Sequence, residues 1–217
     1  MTVRAAVFDV DGTLVDSNGA HAEAWAAALR HFGYPQEVPA IRRLIGMGGD
    51  KLLATLTGLS AGQEPGSLII ERRATVFKKE FIGGVRPFPR TRDLFERLKA
   101  RGLRLGIASS APKDELASLL AIARVSDLVD ESPSSDDVNA SKPDPDIVAA
   151  AVARLRVAPS DAIMVGDTPY DLAAAERAGV RAIAFRCGGW GDSDLLSAIA
   201  IYDDPAAMLA QEDSWPF

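Results

Sequence analysis

Apolar residues gather in four short, β-leaning runs, Val3–Phe8, Leu103–Ala108, Ala162–Val165 and Arg181–Phe185, each ending in polar or small residues. Runs of that length, bounded by turn residues, read as strands buried on both faces. Between the later runs the apolar positions recur at helical period. Leu94, Phe95 and Leu98 form one stripe, and Ile147, Val148, Ala151, Val152 and Leu155 form another. Strands alternating with amphipathic helices predict right-handed crossovers and a parallel sheet covered by helices, an α/β Rossmann-like core. Weaker strand patterns lie at Leu128–Asp130 and Ala200–Tyr202.

The first crossover is too long for a single helix. From about Asp16 to Gly84 the strand pattern vanishes and helical stretches replace it. Trp25, Leu29 and Phe32 share one helix face; Leu52, Leu53 and Leu56 suggest a second helix, and Ile69 to Phe81 a third. Breakers at Gly33-Tyr34-Pro35, Gly46 to Gly49, Gly58 to Gly66 and Gly83-Gly84 separate them. The pattern predicts a small helical domain over residues 17–84, inserted into a core of residues 1–16 and 85–217. Its hinges are expected near Asp16-Ser17-Asn18 and Ile82-Gly83-Gly84-Val85. Pro133 to Pro145, polar and proline-rich, reads as a loop.

Composition narrows the functional classes. Lys and Arg total 24 against 30 Asp and Glu, a formal charge of −6, so no basic surface argues for nucleic acid. One cysteine, Cys187, excludes an internal disulfide and a cysteine zinc cluster, and fits a reducing compartment. No apolar run approaches the roughly 18 residues of a membrane span, and the chain enters a strand at once, without a signal peptide. A cytoplasmic protein with no membrane partner is expected.

The first strand ends in Asp9-Val10-Asp11-Gly12-Thr13. Two carboxylates one residue apart at a strand end are costly unless a cation, a shared proton or a substrate compensates them. Three further polar clusters follow strand signals: Ser109-Ser110, the loop Ser141-Lys142-Pro143-Asp144-Pro145, and Gly166-Asp167-Thr168-Pro169-Tyr170-Asp171. Carboxyl ends of neighbouring parallel strands converge on one crevice. The clusters therefore combine into one expected site: Asp9, Asp11, Asp167 and Asp171, with Lys142 and a serine hydroxyl.

This set, in this order, resembles the haloacid dehalogenase superfamily of hydrolases, through its DxDGT, serine/threonine, lysine and GDxxxD motifs. The helical insertion looks like the family's cap domain. Within the superfamily the chain is most similar to the group of phosphoglycolate phosphatase and β-phosphoglucomutase. The resemblance implies roles. Asp9 would be the nucleophile that takes the phosphoryl group. Mg²⁺ would be held by Asp9, the backbone carbonyl of Asp11 and Asp167, as suits a hard cation with oxygen ligands. Lys142 would offset charge beside Asp9. Ser109, with Ser110 as its rival, would donate a hydrogen bond to a phosphoryl oxygen. Asp11 would protonate the leaving alcohol and activate water, and Asp171 would orient Lys142 or the metal shell.

The insertion bears on the substrate. His21 and Trp25 lie one helical turn apart, and the resemblance to β-phosphoglucomutase implies that both face the site. The position near Gly49, an arginine in the mutase and a Schiff-base lysine in phosphonoacetaldehyde hydrolase, is glycine here. That argues against both activities, unless Arg42, Arg43 or Lys51 supplies a charge from nearby. An acid at position 11 is what dehalogenases and phosphonoacetaldehyde hydrolases lack. The expected enzyme is a Mg²⁺-dependent phosphomonoesterase acting on a small phosphorylated metabolite, as a monomer or weak homo-oligomer. The alternatives are a sugar phosphomutase and a non-catalytic binding protein retaining the fold.

Overall fold

A computed structural model describes residues 3–217. In chain order the described strands are β1 (Ala5–Phe8), β2 (Val15–Asp16), β3 (Arg86–Pro87), β4 (Arg104–Ile107), β5 (Ala162–Gly166), β6 (Arg181–Phe185) and β7 (Ala200–Tyr202). Five make one parallel sheet in the order β4-β1-β5-β6-β7. The order runs outward from β1 in both directions, so the crossovers leave β1 on opposite sides and a crevice opens at its carboxyl end. Asp9 and Asp11 follow β1, Ser109 follows β4 and Asp167 follows β5.

Alternate residues of these strands face opposite layers. Ala6 and Phe8, Ile163 and Val165, and Ile183 and Phe185 pack with α5 (Thr91–Ala100), α6 (Lys113–Ala123) and α9 (Pro205–Ala210). Ala5 and Val7, Ala162 and Met164, and Ala182 and Ala184 pack with α7 (Asp146–Arg154) and α8 (Pro169–Arg177). The predicted stripes, Leu94, Phe95 and Leu98 on α5 and Ile147, Val148, Ala151 and Val152 on α7, are buried in these layers. Each of the larger of these side chains contributes about 1.5–3 kcal/mol.

The sheet corrects one expected strand. Leu128–Asp130 forms none: Asp130 Oδ2 accepts from Leu105 N at 2.7 Å, occupying a donor on the open edge of β4. Only Glu131, one residue on, bridges to Gly106.

Between β2 and β3 lies the helical insertion: α1 (Asn18–His31), α2 (Val38–Arg42), α3 (Gly49–Thr57) and α4 (Gly66–Val76). It carries its own apolar cluster, centred on Trp25, Leu29, Ile41, Leu52, Leu53 and Ile69. The short α2 was not anticipated, and the expected helix over 69–81 is α4 followed by a π-helical turn, Phe77–Phe81. The two crossings into the insertion are held together, because β2 and β3 pair antiparallel. No described helix is long and apolar enough to cross a membrane.

Candidate active site

The loop after β1 is tightly wound: the amides of Thr13, Leu14 and Val15 all donate to Val10 O. Gly12 makes the turn possible, with φ +79°, and a Cβ there would stand 2.2 Å from Asn18 Nδ2 and 2.3 Å from Asp167 Oδ2. The turn leaves Asp9 buried at the strand end, with Lys142 Nζ donating to its Oδ1 at 2.5 Å. Asp9 Oδ2 is buried and has no partner.

Lys142 is fully buried and donates a second bond to Asp171 Oδ1 at 2.7 Å. The sequence Thr168-Pro169-Tyr170-Asp171 explains how Asp171 comes to face it. Thr168 caps α8, Pro169 opens the first turn, and the other Asp171 oxygen accepts from Thr168 N (3.0 Å) and Oγ1 (2.7 Å). A helix-capping carboxylate thus presents its free oxygen to the lysine.

Asp167 completes the cluster: ligand atoms of Asp9, Asp167 and Asp171 lie within 4.8 Å of one another. Asp167 Oδ1 accepts from Thr13 Oγ1 (2.8 Å) and Oδ2 from Asn18 Nδ2 (3.1 Å). With all three carboxylates ionised, one ammonium would leave two uncompensated negative charges in a buried space, a balance that suits a divalent cation. The titration of the group carries the same message. Burial pushes Asp9 up to about 7 despite Lys142, with Asp171 and Asp11 adding to the rise. Asp167 is raised well above the ordinary carboxylate range, by burial and then by Asp171 and Asp9. Lys142 is raised too: burial opposes its charge, but the two flanking carboxylates prevail. The residues present fit a bound metal ion.

Asp11 sits apart. Its Oδ1 accepts from Ser17 Oγ at 2.5 Å and lies 2.8 Å from His21 Nε2. Burial alone would raise Asp11, yet His21, Ser17 and the charge of Arg73 together hold it below the usual range. His21 is buried, with its ring stacked on Phe77 at 4.0 Å between centroids. The insertion therefore supplies the partner of a core carboxylate.

The two serines divide differently. Ser109 Oγ accepts from Ala111 N at 3.1 Å, whereas Ser110 Oγ is buried without a partner and lines the central cavity. That cavity, about 50 Å³, is enclosed by Asp9, Asp11, His21, Trp25, Gly49 and Arg73, among others. A second space of about 340 Å³ shares Gly49, Arg73 and Ser110 with it and also touches Ser109 and Asn139. A Cβ on Gly49 would come within 3.2 Å of the Trp25 ring.

The cations expected near Gly49 are engaged elsewhere. Lys51 Nζ reaches Asp144 Oδ2 at 2.7 Å, Arg43 lies 4.5 Å over the Trp190 ring, and neither they nor Arg42 line the central cavity. Arg73 does line it, and sequence reading missed it: in Glu71-Arg72-Arg73 nothing distinguishes a buried arginine from a solvated one. Arg73 Nη1 donates to both oxygens of Glu115 on α6, at 3.0 and 2.8 Å. With Lys51–Asp144, the 2.6 Å bond from Ser141 Oγ to Asp50, and Tyr170 OH donating to Arg43 O at 2.8 Å, this ties the insertion to the core on several sides.

Residues 3–179 match the profile of the family described as haloacid dehalogenase-like hydrolase. The chain belongs to that family. A validoxylamine A 7'-phosphate phosphatase of Streptomyces hygroscopicus subsp. limoneus is 32% identical to this hydrolase over 82% of the chain and 83% of its own length. A phosphoglycolate phosphatase of Rhodospirillum rubrum is 29% identical, covering 94% and 89% respectively. Among solved structures, a hydrolase from Pseudomonas syringae superimposes with a TM-score of 0.90 at 27% identity, over 97% of this chain and 98% of that one. A β-phosphoglucomutase from Clostridium difficile reaches 0.84 at 19% identity, over 97% and 96%, a likeness of fold.

Proposed function

We propose that this hydrolase is a Mg²⁺-dependent phosphomonoesterase that cleaves a small soluble organophosphate through an aspartyl phosphate on Asp9. The observation that carries the reading is the division of labour between the first two acids. Asp9 shares a buried cluster of net charge −2 with Lys142, Asp171 and Asp167, while Asp11 is turned away toward His21 and Ser17. That division supports one carboxylate forming the bond and the other handling the proton.

Asp9 would attack phosphorus as the bond to the leaving oxygen breaks and that oxygen takes a proton from the Asp11 side; water then releases phosphate and restores Asp9. The proton would pass through Asp11, whose Oδ1 lies 2.8 Å from His21 Nε2 and accepts from Ser17 Oγ. Lys142 offsets charge at Asp9, and Asp171 fixes the lysine. Ser109 is taken as the hydrogen-bond donor to a phosphoryl oxygen, with the unpartnered Ser110 hydroxyl as a second donor beside it. Mg²⁺, bound by Asp9 and Asp167 with the Asp11 carbonyl, would act as a Lewis acid on the transferring group.

Residues 17–84 serve as a cap on a core formed by 1–16 and 85–217. The insertion's His21, Trp25, Gly49 and Arg73 line the cavity over Asp9, so opening of the cap would admit substrate and its closure would exclude water. The pairing of β2 with β3 puts both crossings side by side as a hinge. A single free cysteine fits a cytoplasmic protein, and we take it as a monomer or weak homo-oligomer. Phosphate release from p-nitrophenyl phosphate with Mg²⁺, abolished by a chelator, tests the reading. Folded Asp9→Asn protein should lose about 10³-fold or more in kcat; normal turnover by it would overturn the mechanism.

A further inference from the structure

We infer that the Arg73–Glu115 ion pair determines specificity, rejecting substrates with a second anionic group and selecting uncharged, hydroxyl-rich phosphate monoesters. The inference rests on the phosphomonoesterase reading above and concerns the far side of the same cavity. Arg73 is the sole Lys or Arg among the described residues lining either the central cavity or the adjoining space. Both oxygens of Glu115 are already bonded to its Nη1. The pair is nine-tenths buried, so a substrate meets a wall whose charges cancel.

A carboxylate or second phosphate on the leaving group would find no uncompensated cation there. It would instead face the acidic side chains of Glu115 and Asp11 in the same cavity, which offer an anion acceptors and no donor. Hydroxyls fare better. Arg73 Nε is a buried donor with no partner, Glu115 retains acceptor capacity, and the Trp25 ring, with the guanidinium 5.6 Å from its centroid, offers an apolar face to C–H groups. The adjoining space adds Asn139 and the hydrogen-bonded pair Ser141–Asp50, polar partners for a longer polyol and no cation beyond Arg73.

Matched esters test the idea: 2-hydroxyethyl phosphate against phosphoglycolate, and glycerol phosphate against 3-phosphoglycerate, with p-nitrophenyl phosphate as reference. For the native enzyme, kcat/KM should favour the hydroxylated member of each pair by about tenfold or more. Glu115→Gln, which leaves the arginine charge unopposed, should move the ratio about tenfold toward the carboxylated esters. Arg73→Gln should move it the other way. A purely structural role would lower both members of a pair alike, and that result would overturn the inference. So would a native enzyme that cleaves the aryl phosphate but prefers phosphoglycolate, and this ratio needs no variant to fold. Absence of phosphate release from every ester would instead remove the phosphomonoesterase reading itself.

Discussion

The core and the insertion meet at one cavity but carry charge in opposite ways. On the core side Asp9, Asp167 and Asp171 outnumber Lys142, leaving a deficit of two positive charges. On the insertion side Arg73 is balanced by Glu115, and His21 rests against Asp11. Chemistry needs an unfinished electrostatic arrangement that a cation and a phosphoryl group can complete. Recognition of an uncharged leaving group needs a finished one. On the proposed reading, reaction belongs to the core and selection to the insertion.

Lys142→Met should sharpen the contrast most. It removes the one cation from the core cluster and leaves three buried carboxylates, so kcat should fall by about 10³-fold. The metal-free fold should lose about 3–5 kcal/mol, read by denaturant unfolding at pH 8. Gly12→Ala comes next: its Cβ would strike Asp167 and Asn18 at a backbone φ of +79°, and a loss of about 2–4 kcal/mol is expected in the same assay.

Proton linkage follows. Asp9 lies at about 7 in the fold against an ordinary 3.8, and Asp167 is raised in the same direction. A carboxyl raised in the fold contributes stability below its unfolded pKa, and that contribution is lost as pH rises through the folded value. Asp11, lowered, is ionised in both states above pH 5 and adds no slope there. The metal-free protein should therefore lose the carboxyl contribution between about pH 4 and 7. Mg²⁺ should bind more tightly at pH 8 than at pH 6, releasing protons that calorimetry in two buffers would count; affinity independent of pH would contradict the assignment. Smaller still is the exposed latch. Lys51→Met, breaking a part-exposed pair with Asp144, should change stability by less than about 1 kcal/mol and alter turnover modestly.

How much the sequence disclosed differs between the same two regions. In the core, β1, β4, β5 and β6 were readable because runs buried on both faces leave a continuous apolar signature, and Asp9 and Asp167 follow β1 and β5 directly. Asp171 was readable locally only as a helix-start charge; that it orients Lys142, 29 residues away, came from the family resemblance and not from any local pattern. In the insertion, His21 and Trp25, one helical turn apart, were pointed to the site by the family resemblance. Arg73 was not, since its role comes from Glu115 on a distant helix. Leu128–Asp130 misled because a strand-like apolar pair precedes a carboxylate that bonds the sheet edge itself.

The parallel α/β core, the interruption after the first strand and the order of acids, lysine and serines are all written in the linear chain. Those properties are local, fixed by periodicity, turn chemistry and residue type within a few positions. Only the tertiary structure decided which charges cancel. It set Lys142 between Asp9 and Asp171, turned Asp11 toward His21, and joined Arg73 to Glu115 across the cavity. Electrostatic energy depends on distance and burial, and residues far apart in the chain acquire both only when it folds.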